Sequence, residues 1–105
     1  MAARTIRVYW PNRTTGWVNF NWTGVINRQS VVHVAVSEGR LDQVLGTALD
    51  GISRFRGDAT MFAKNVHPHD EGGGGVEFFI EIDWSSPLNV VTDITVDTPE
   101  VGFVV

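Results

Sequence analysis

Residues 76–84 read Val-Glu-Phe-Phe-Ile-Glu-Ile-Asp-Trp, and their alternation constrains the fold more than any other feature. Val76, Phe78, Ile80, Ile82 and Trp84 fall on one face of an extended chain, and Glu77, Phe79, Glu81 and Asp83 on the other. A side-chain period of two belongs to a strand with one face in a core and the other toward solvent. The pattern recurs. Ile6, Val8 and Trp10 alternate with Thr5, Arg7 and Tyr9. Val18, Phe20 and Trp22 alternate with Trp17, Asn19 and Asn21, and Leu88, Val90, Thr92, Ile94 and Val96 with Asn89, Val91, Asp93, Thr95 and Asp97. Residues 31–36 read as a more fully buried strand with His33 among valines, 59–66 as a further strand, and 101–105 as a short edge strand. Val, Ile and Thr make up 31 of the 105 residues, which suits pleated sheet, where side chains branched at Cβ pack without crowding a helical turn.

One stretch departs from this period. Leu41, Val44, Leu45, Ala48, Leu49, Ile52 and Phe55 recur at three- and four-residue spacing, with Ser37 placed to cap, which predicts one helix over residues 38–55. Gly46 and Gly51 weaken that helix by about 1 kcal/mol each relative to alanine. Residues 11–16 are rich in turn formers and predict a hairpin between the first two strands; Ser85-Ser86-Pro87 predicts another between the last two long strands. The expectation is a mainly β chain: a small antiparallel β-sandwich of about seven strands with one helix, or an antiparallel sheet packed on that helix. At 105 residues it forms a single domain spanning 1–105.

Several function classes are excluded or disfavoured. The chain has no cysteine, so disulfides, thiolate metal sites and cysteine nucleophiles are out. No apolar run approaches the eighteen or so residues of a membrane span, which predicts no transmembrane segment. The Met-Ala-Ala-Arg start has no apolar stretch of the signal-peptide kind, which predicts a cytoplasmic protein or export without a classical signal peptide. Nucleophile elbow, phosphate loop and dinucleotide fingerprint are missing, and the four-glycine run at 72–75 lacks a phosphate loop's lysine. A net charge of −4 with a single lysine argues against nucleic acid as a partner. That net charge hides a division: residues 1–64 carry +4 and residues 65–105 carry −8.

Three groups of residues carry candidate chemistry. Arg7, Tyr9, Trp17, Asn19 and Asn21 would project together from the outer face of an N-terminal hairpin. An aromatic ring to cover the apolar face of a sugar, with amides and a guanidinium for its hydroxyls, points to carbohydrate binding. Tryptophan and arginine also favour subunit interfaces, so the competing expectation is a structural or assembly protein whose opposite charges pair in a homo-oligomer. The second group is His67-Pro68-His69-Asp70-Glu71. In extended backbone His67 and His69 point to one side, and with Asp70 they form a ligand set for a divalent metal such as zinc, with His33 a conceivable third nitrogen. A metal-dependent enzyme built on these histidines is the third expectation, set against a solvated loop loosened by the adjoining glycines. Third, a C-terminal hairpin would crowd Glu77, Glu81, Asp83, Asp93 and Asp97 on one surface, as a calcium or acid/base cluster or an ordinary solvated face. Arg56-Gly57-Asp58 spells an adhesion tripeptide but reads here as a turn. On balance the sequence predicts a non-catalytic, lectin-like binding module with no cofactor, whose partner is carbohydrate or itself.

Overall fold

The computed structural model describes residues 3–41 and 51–99. Among these the chain forms seven strands: β1 (Arg4–Arg13), β2 (Gly16–Asn21), β3 (Val31–Leu41), β4 (Ile52–Arg54), β5 (Thr60–His69), β6 (Gly75–Asp83) and β7 (Leu88–Asp97), with a 3₁₀ turn at Glu71–Gly73. They build two antiparallel sheets, one ordered β1-β7-β3-β4 and the other β2-β6-β5. The result is the expected small β-sandwich. Among the described residues no helix is long and apolar enough to cross a membrane.

The alternating residues do what their period requires. Trp10, Val90, Ile94 and Val96 from one sheet meet Val18, Val76, Phe78, Ile80 and Ile82 from the other, and Ile26 closes the end of this core. Trp10 and Phe78 pack edge to face across the two sheets, with ring centroids 6.3 Å apart. Ile6, Val8, Phe20, Trp22, Val32, Val34 and Val36 pack around them. Trp84 departs from the expected face. It lies past the end of β6 and is exposed.

Both predicted hairpins are absent. β1 pairs with β7, and β2 pairs with β6. Residues 14–15 therefore carry the chain from one sheet to the other, as do residues 84–87 between β6 and β7. The physical reason lies in what alternation specifies. Period two fixes which face of a strand is buried, and two strands satisfy it equally well side by side or face to face across a core about 10 Å thick.

The helix expected over residues 38–55 is corrected at both ends. Glu38, Gly39, Arg40 and Leu41 continue β3, and Ile52, Ser53 and Arg54 form β4, which pairs with β3 through Gly39↔Arg54, Arg40↔Ser53 and Leu41↔Ile52. Its centre, residues 42–50, lies outside the described residues, as does the expected strand at 101–105. Strand β3 is not buried on both faces either. Val32, Val34 and Val36 face the core, while His33 and Ala35 are exposed.

Candidate functional site

The outer face of the three-stranded sheet gathers the chemistry. On its central strand β6, Glu77 stands between Asn19 of β2 and His67 of β5. Gly75, one step along that face, stands between Asn21 and His69. In the other direction Phe79 stands between Trp17 and Lys64. Because Gly75 has no side chain, the row between Asn21 and His69 has no central pillar. An open recess of about 340 Å³ results, lined by Asn19, Asn21, His67, His69, Glu71 and Glu77.

A β-bulge puts both histidines on this face. Lys64 pairs with Phe79 and His67 with Glu77, so three residues of β5 cover the span of two on β6. Asn65 takes a φ of +52°, the left-handed region that asparagine tolerates better than most residues. The extra residue re-aims the side chains beyond it. Without it, Lys64 and His67 would face opposite sides. His67-Pro68-His69, expected in a loop, instead ends the strand, paired with Glu77, Val76 and Gly75. β5 is an edge strand, where proline removes no hydrogen bond that the sheet needs.

The glycine run is docked rather than loose. Gly72 has a φ of +65° and lies so close to Asn21 that a Cβ there would sit 2.6 Å from its Nδ2. Gly74, at φ +107°, leaves no room for a Cβ beside the Ile26 carbonyl, and its own carbonyl accepts a 2.9 Å hydrogen bond from the Trp22 N–H. Positive φ and close backbone approach are the two demands only glycine meets cheaply.

Within the recess the polar groups form a chain. Asn19 Nδ2 donates to Asn21 Oδ1 at 2.9 Å, and Asn19 Oδ1 lies 2.6 Å from His69 Nε2. With Asn19 oriented this way its oxygen accepts, so Nε2 donates. The imidazole side chain is only 10% exposed. Its Nδ1 is buried without a hydrogen-bond partner, 3.4 Å from Glu71 Oε2. Glu77 is exposed and takes part in no ion pair among the described residues. Beside the recess the surface turns aromatic. Trp17 and Phe62 are each 54% exposed, and Trp17 meets Phe79 edge-on with centroids 5.5 Å apart. Lys64 Nζ lies 5.4 Å from the Phe79 ring centre and is held at 2.9 Å by Glu81.

The residues singled out from the sequence are regrouped. Trp17, Asn19 and Asn21 share the outer face of β2 as expected. Arg7 and Tyr9 do not join them, since β1 belongs to the other sheet. Arg7 is bound to Asp93 through two hydrogen bonds of 2.7 and 3.0 Å, and Tyr9 borders a different recess with Glu38, Arg40, Phe55 and Asn89. His67 and His69 do share a side, with ring centroids 6.3 Å apart. Asp70 is turned away from them: its Oδ1 accepts from the Arg28 N–H at 2.9 Å, and its Oδ2 lies 3.6 Å from Arg28 Nε. His33 is on the outer face of the four-stranded sheet. Among the described residues no three histidine, aspartate or glutamate side chains are gathered to hold a metal ion. The acidic cluster is split likewise. Glu77, Glu81 and Asp83 stay on β6 while Asp93 and Asp97 belong to β7 in the opposite sheet.

Two features of this face lie outside the sequence expectations. Phe62 is not among the expected binding residues, although alternation with Met61 and Ala63 marks it as outward-facing. The union of the asparagine pair with the histidine pair is absent too, because it depends on which strands flank β6. Comparison with protein-family models, with curated proteins and with solved structures finds no match.

Proposed function

We propose that this protein is a non-catalytic glycan-binding module whose site is the outer face of the three-stranded sheet. One observation carries the reading: an exposed tryptophan adjoins an open recess whose walls are amides, imidazoles and carboxylates. Pyranose recognition requires that division, a flat ring against the apolar C–H face and fixed polar groups for the hydroxyls. Asn19 is pre-oriented by its bonds to Asn21 and His69, so little side-chain freedom is lost when it engages a ligand. Asn19, Asn21, His67, His69 and Glu77 sit on paired strands, which fixes the spacing of their side chains.

The test is a glycan array followed by calorimetric titration of the glycans retained. Trp17→Ala and Asn19→Ala should each weaken binding about tenfold or more, equivalent to about 1.4 kcal/mol or more. Both positions are exposed, so the variants should keep the wild-type circular dichroism spectrum. Retention of no glycan, or unchanged affinity in Trp17→Ala, would overturn the proposal.

A further inference from the structure

Resting on the glycan reading above, we infer that the recess selects sugars that carry a free amine, whose ammonium seats on the Glu77 carboxylate. The recess has two carboxylates, Glu71 and Glu77, and neither lysine nor arginine in its lining. Lys64 stands one cross-strand row away, and its ammonium is already held by Glu81 at 2.9 Å, while the Arg28 guanidinium lies 3.6 Å from Asp70. Glu77 has no cationic partner among the described residues, and its cross-strand neighbours are Asn19 and His67. An unpaired carboxylate between groups that can hydrogen-bond a hydroxyl is complementary to an amine with a hydroxyl on the next carbon. A charge-assisted hydrogen bond to an ammonium is roughly twice as strong as a neutral one. A uronate or sulfate in the same place would meet two like charges instead, so the recess discriminates by repulsion as well as attraction.

A second observation points to a ligand at this place. The His69 side chain is nine-tenths buried and lines the recess, yet its Nδ1 has no hydrogen-bond partner. With Nε2 donating to Asn19, Nδ1 is the imidazole nitrogen left without a hydrogen bond, 3.4 Å from the Glu71 carboxylate. Buried polar atoms are nearly always satisfied, so Nδ1 has hydrogen-bonding capacity that the fold itself does not use. The Glu71 side chain, whose Oε2 lies 3.4 Å from Nδ1, is 85% exposed. A sugar hydroxyl entering there completes the imidazole, while the amine on the neighbouring carbon meets Glu77.

Calorimetry with four probes tests this: a β-1,4-linked glucosamine tetramer, its N-acetylated counterpart, a neutral β-1,4-glucose tetramer and a galacturonate tetramer, with tetralysine as a charge control. The glucosamine tetramer should bind at least tenfold tighter than the acetylated and neutral ones, and the galacturonate not at all. Glu77→Gln should collapse the ratio between amine and acetylated probes. Asp83→Asn, an equal loss of charge on β6 outside the recess, should leave that ratio in place. Equal affinity for amine and acetylated probes would overturn the amine selectivity while leaving the glycan reading standing. Binding of none of the four sugars would overturn the amine selectivity, and the glycan reading would fall with it only if the glycan array also retains nothing. Tetralysine binding as tightly as the glucosamine tetramer, with Trp17→Ala without effect, would reduce the attraction to unspecific charge and overturn the inference.

Discussion

Thr92 shows how much one hydroxyl matters in this core. At 0% exposure it is the most deeply buried polar residue among the described residues, and its Oγ1 accepts a 2.9 Å hydrogen bond from the Trp10 indole N–H. Trp10 in turn spans the space between the sheets to reach Phe78, so its orientation is set at both ends. Valine has nearly the shape of threonine and no acceptor, and Thr92→Val would strand a buried donor. Such a loss costs about 1–3 kcal/mol, and with a urea slope of about 1–3 kcal/mol per molar the unfolding midpoint should fall by roughly 1 M with the slope unchanged. The control is a double-mutant cycle. In a Trp10→Phe background no donor remains, so Thr92→Val should there be neutral or stabilising, because replacing both partners removes the unsatisfied group. Equal losses in the two backgrounds would mean that the hydroxyl acts through something other than Trp10.

At the scale of elements, the residues that carry the fold were legible and the pairing of strands was not. Every inward-facing residue of β6 and β7 follows from period two, as does the outward position of Trp17, Asn19 and Asn21. A strand's burial depends on its own side chains, so the sequence holds that information locally. Its neighbours depend on how two apolar faces close over each other. For that reason six turn-forming residues at 11–16 were compatible both with a hairpin and with the crossing between sheets that the chain makes. The helix expected at 38–55 failed at its ends for a related cause: Leu41 and Ile52 satisfy a helical period and equally a β3–β4 pair. The bulge in β5 left a trace, since Met61, Ala63 and Val66 all pack against the core and that odd step requires an extra residue. Asn65 is where it is accommodated. Asn65→Gly should therefore be neutral or slightly stabilising, whereas Asn65→Val, forced to the same positive φ, should lose about 1–2 kcal/mol. For a domain of about this size, that corresponds to a drop in melting temperature of about 4–16 °C. Equal melting temperatures for the two variants would show that residue 65 does not need the left-handed conformation.

Across the whole molecule, the division of +4 before residue 65 and −8 after it is partly resolved inside one sheet. Asp93, on β7 at the centre of the four-stranded sheet, is bound by Arg7 of β1 at 2.7 Å and by Arg54 of β4 at 3.1 Å. Arg7 also donates to the Ile52 carbonyl at 3.2 Å, so one carboxylate ties both edge strands to the middle of the sheet. This occupies two of the arginines that an opposite-charge contact between copies would draw on. It also leaves the other sheet's outer face acidic, with Glu77 and Asp83 unmatched there among the described residues. The hydrogen bonds from Arg7 hold the Asp93 carboxyl below its ordinary range, against its partial burial, with the charges of Arg7 and Arg54 acting in the same direction. Arg7 is correspondingly raised by its bond to Asp93. A carboxyl that is more acidic in the folded state binds its proton more readily when unfolded, so folding gains stability as the pH rises. The contribution from Asp93 is fully present above the unfolded carboxylate value of about 3.9 and is lost as the pH falls through the lower folded value. Asp93→Asn should lower stability at pH 7 by about 1–2 kcal/mol, toward the low end for charge-assisted bonds because the three side chains remain partly exposed. Below about pH 4 the gap between variant and wild type should narrow, as protonation removes the same charge from the native residue. Urea denaturation at pH 7 and pH 2.5 measures both points. A stability gap that stays constant between those two pH values would show that Asp93 holds the sheet by shape rather than by charge.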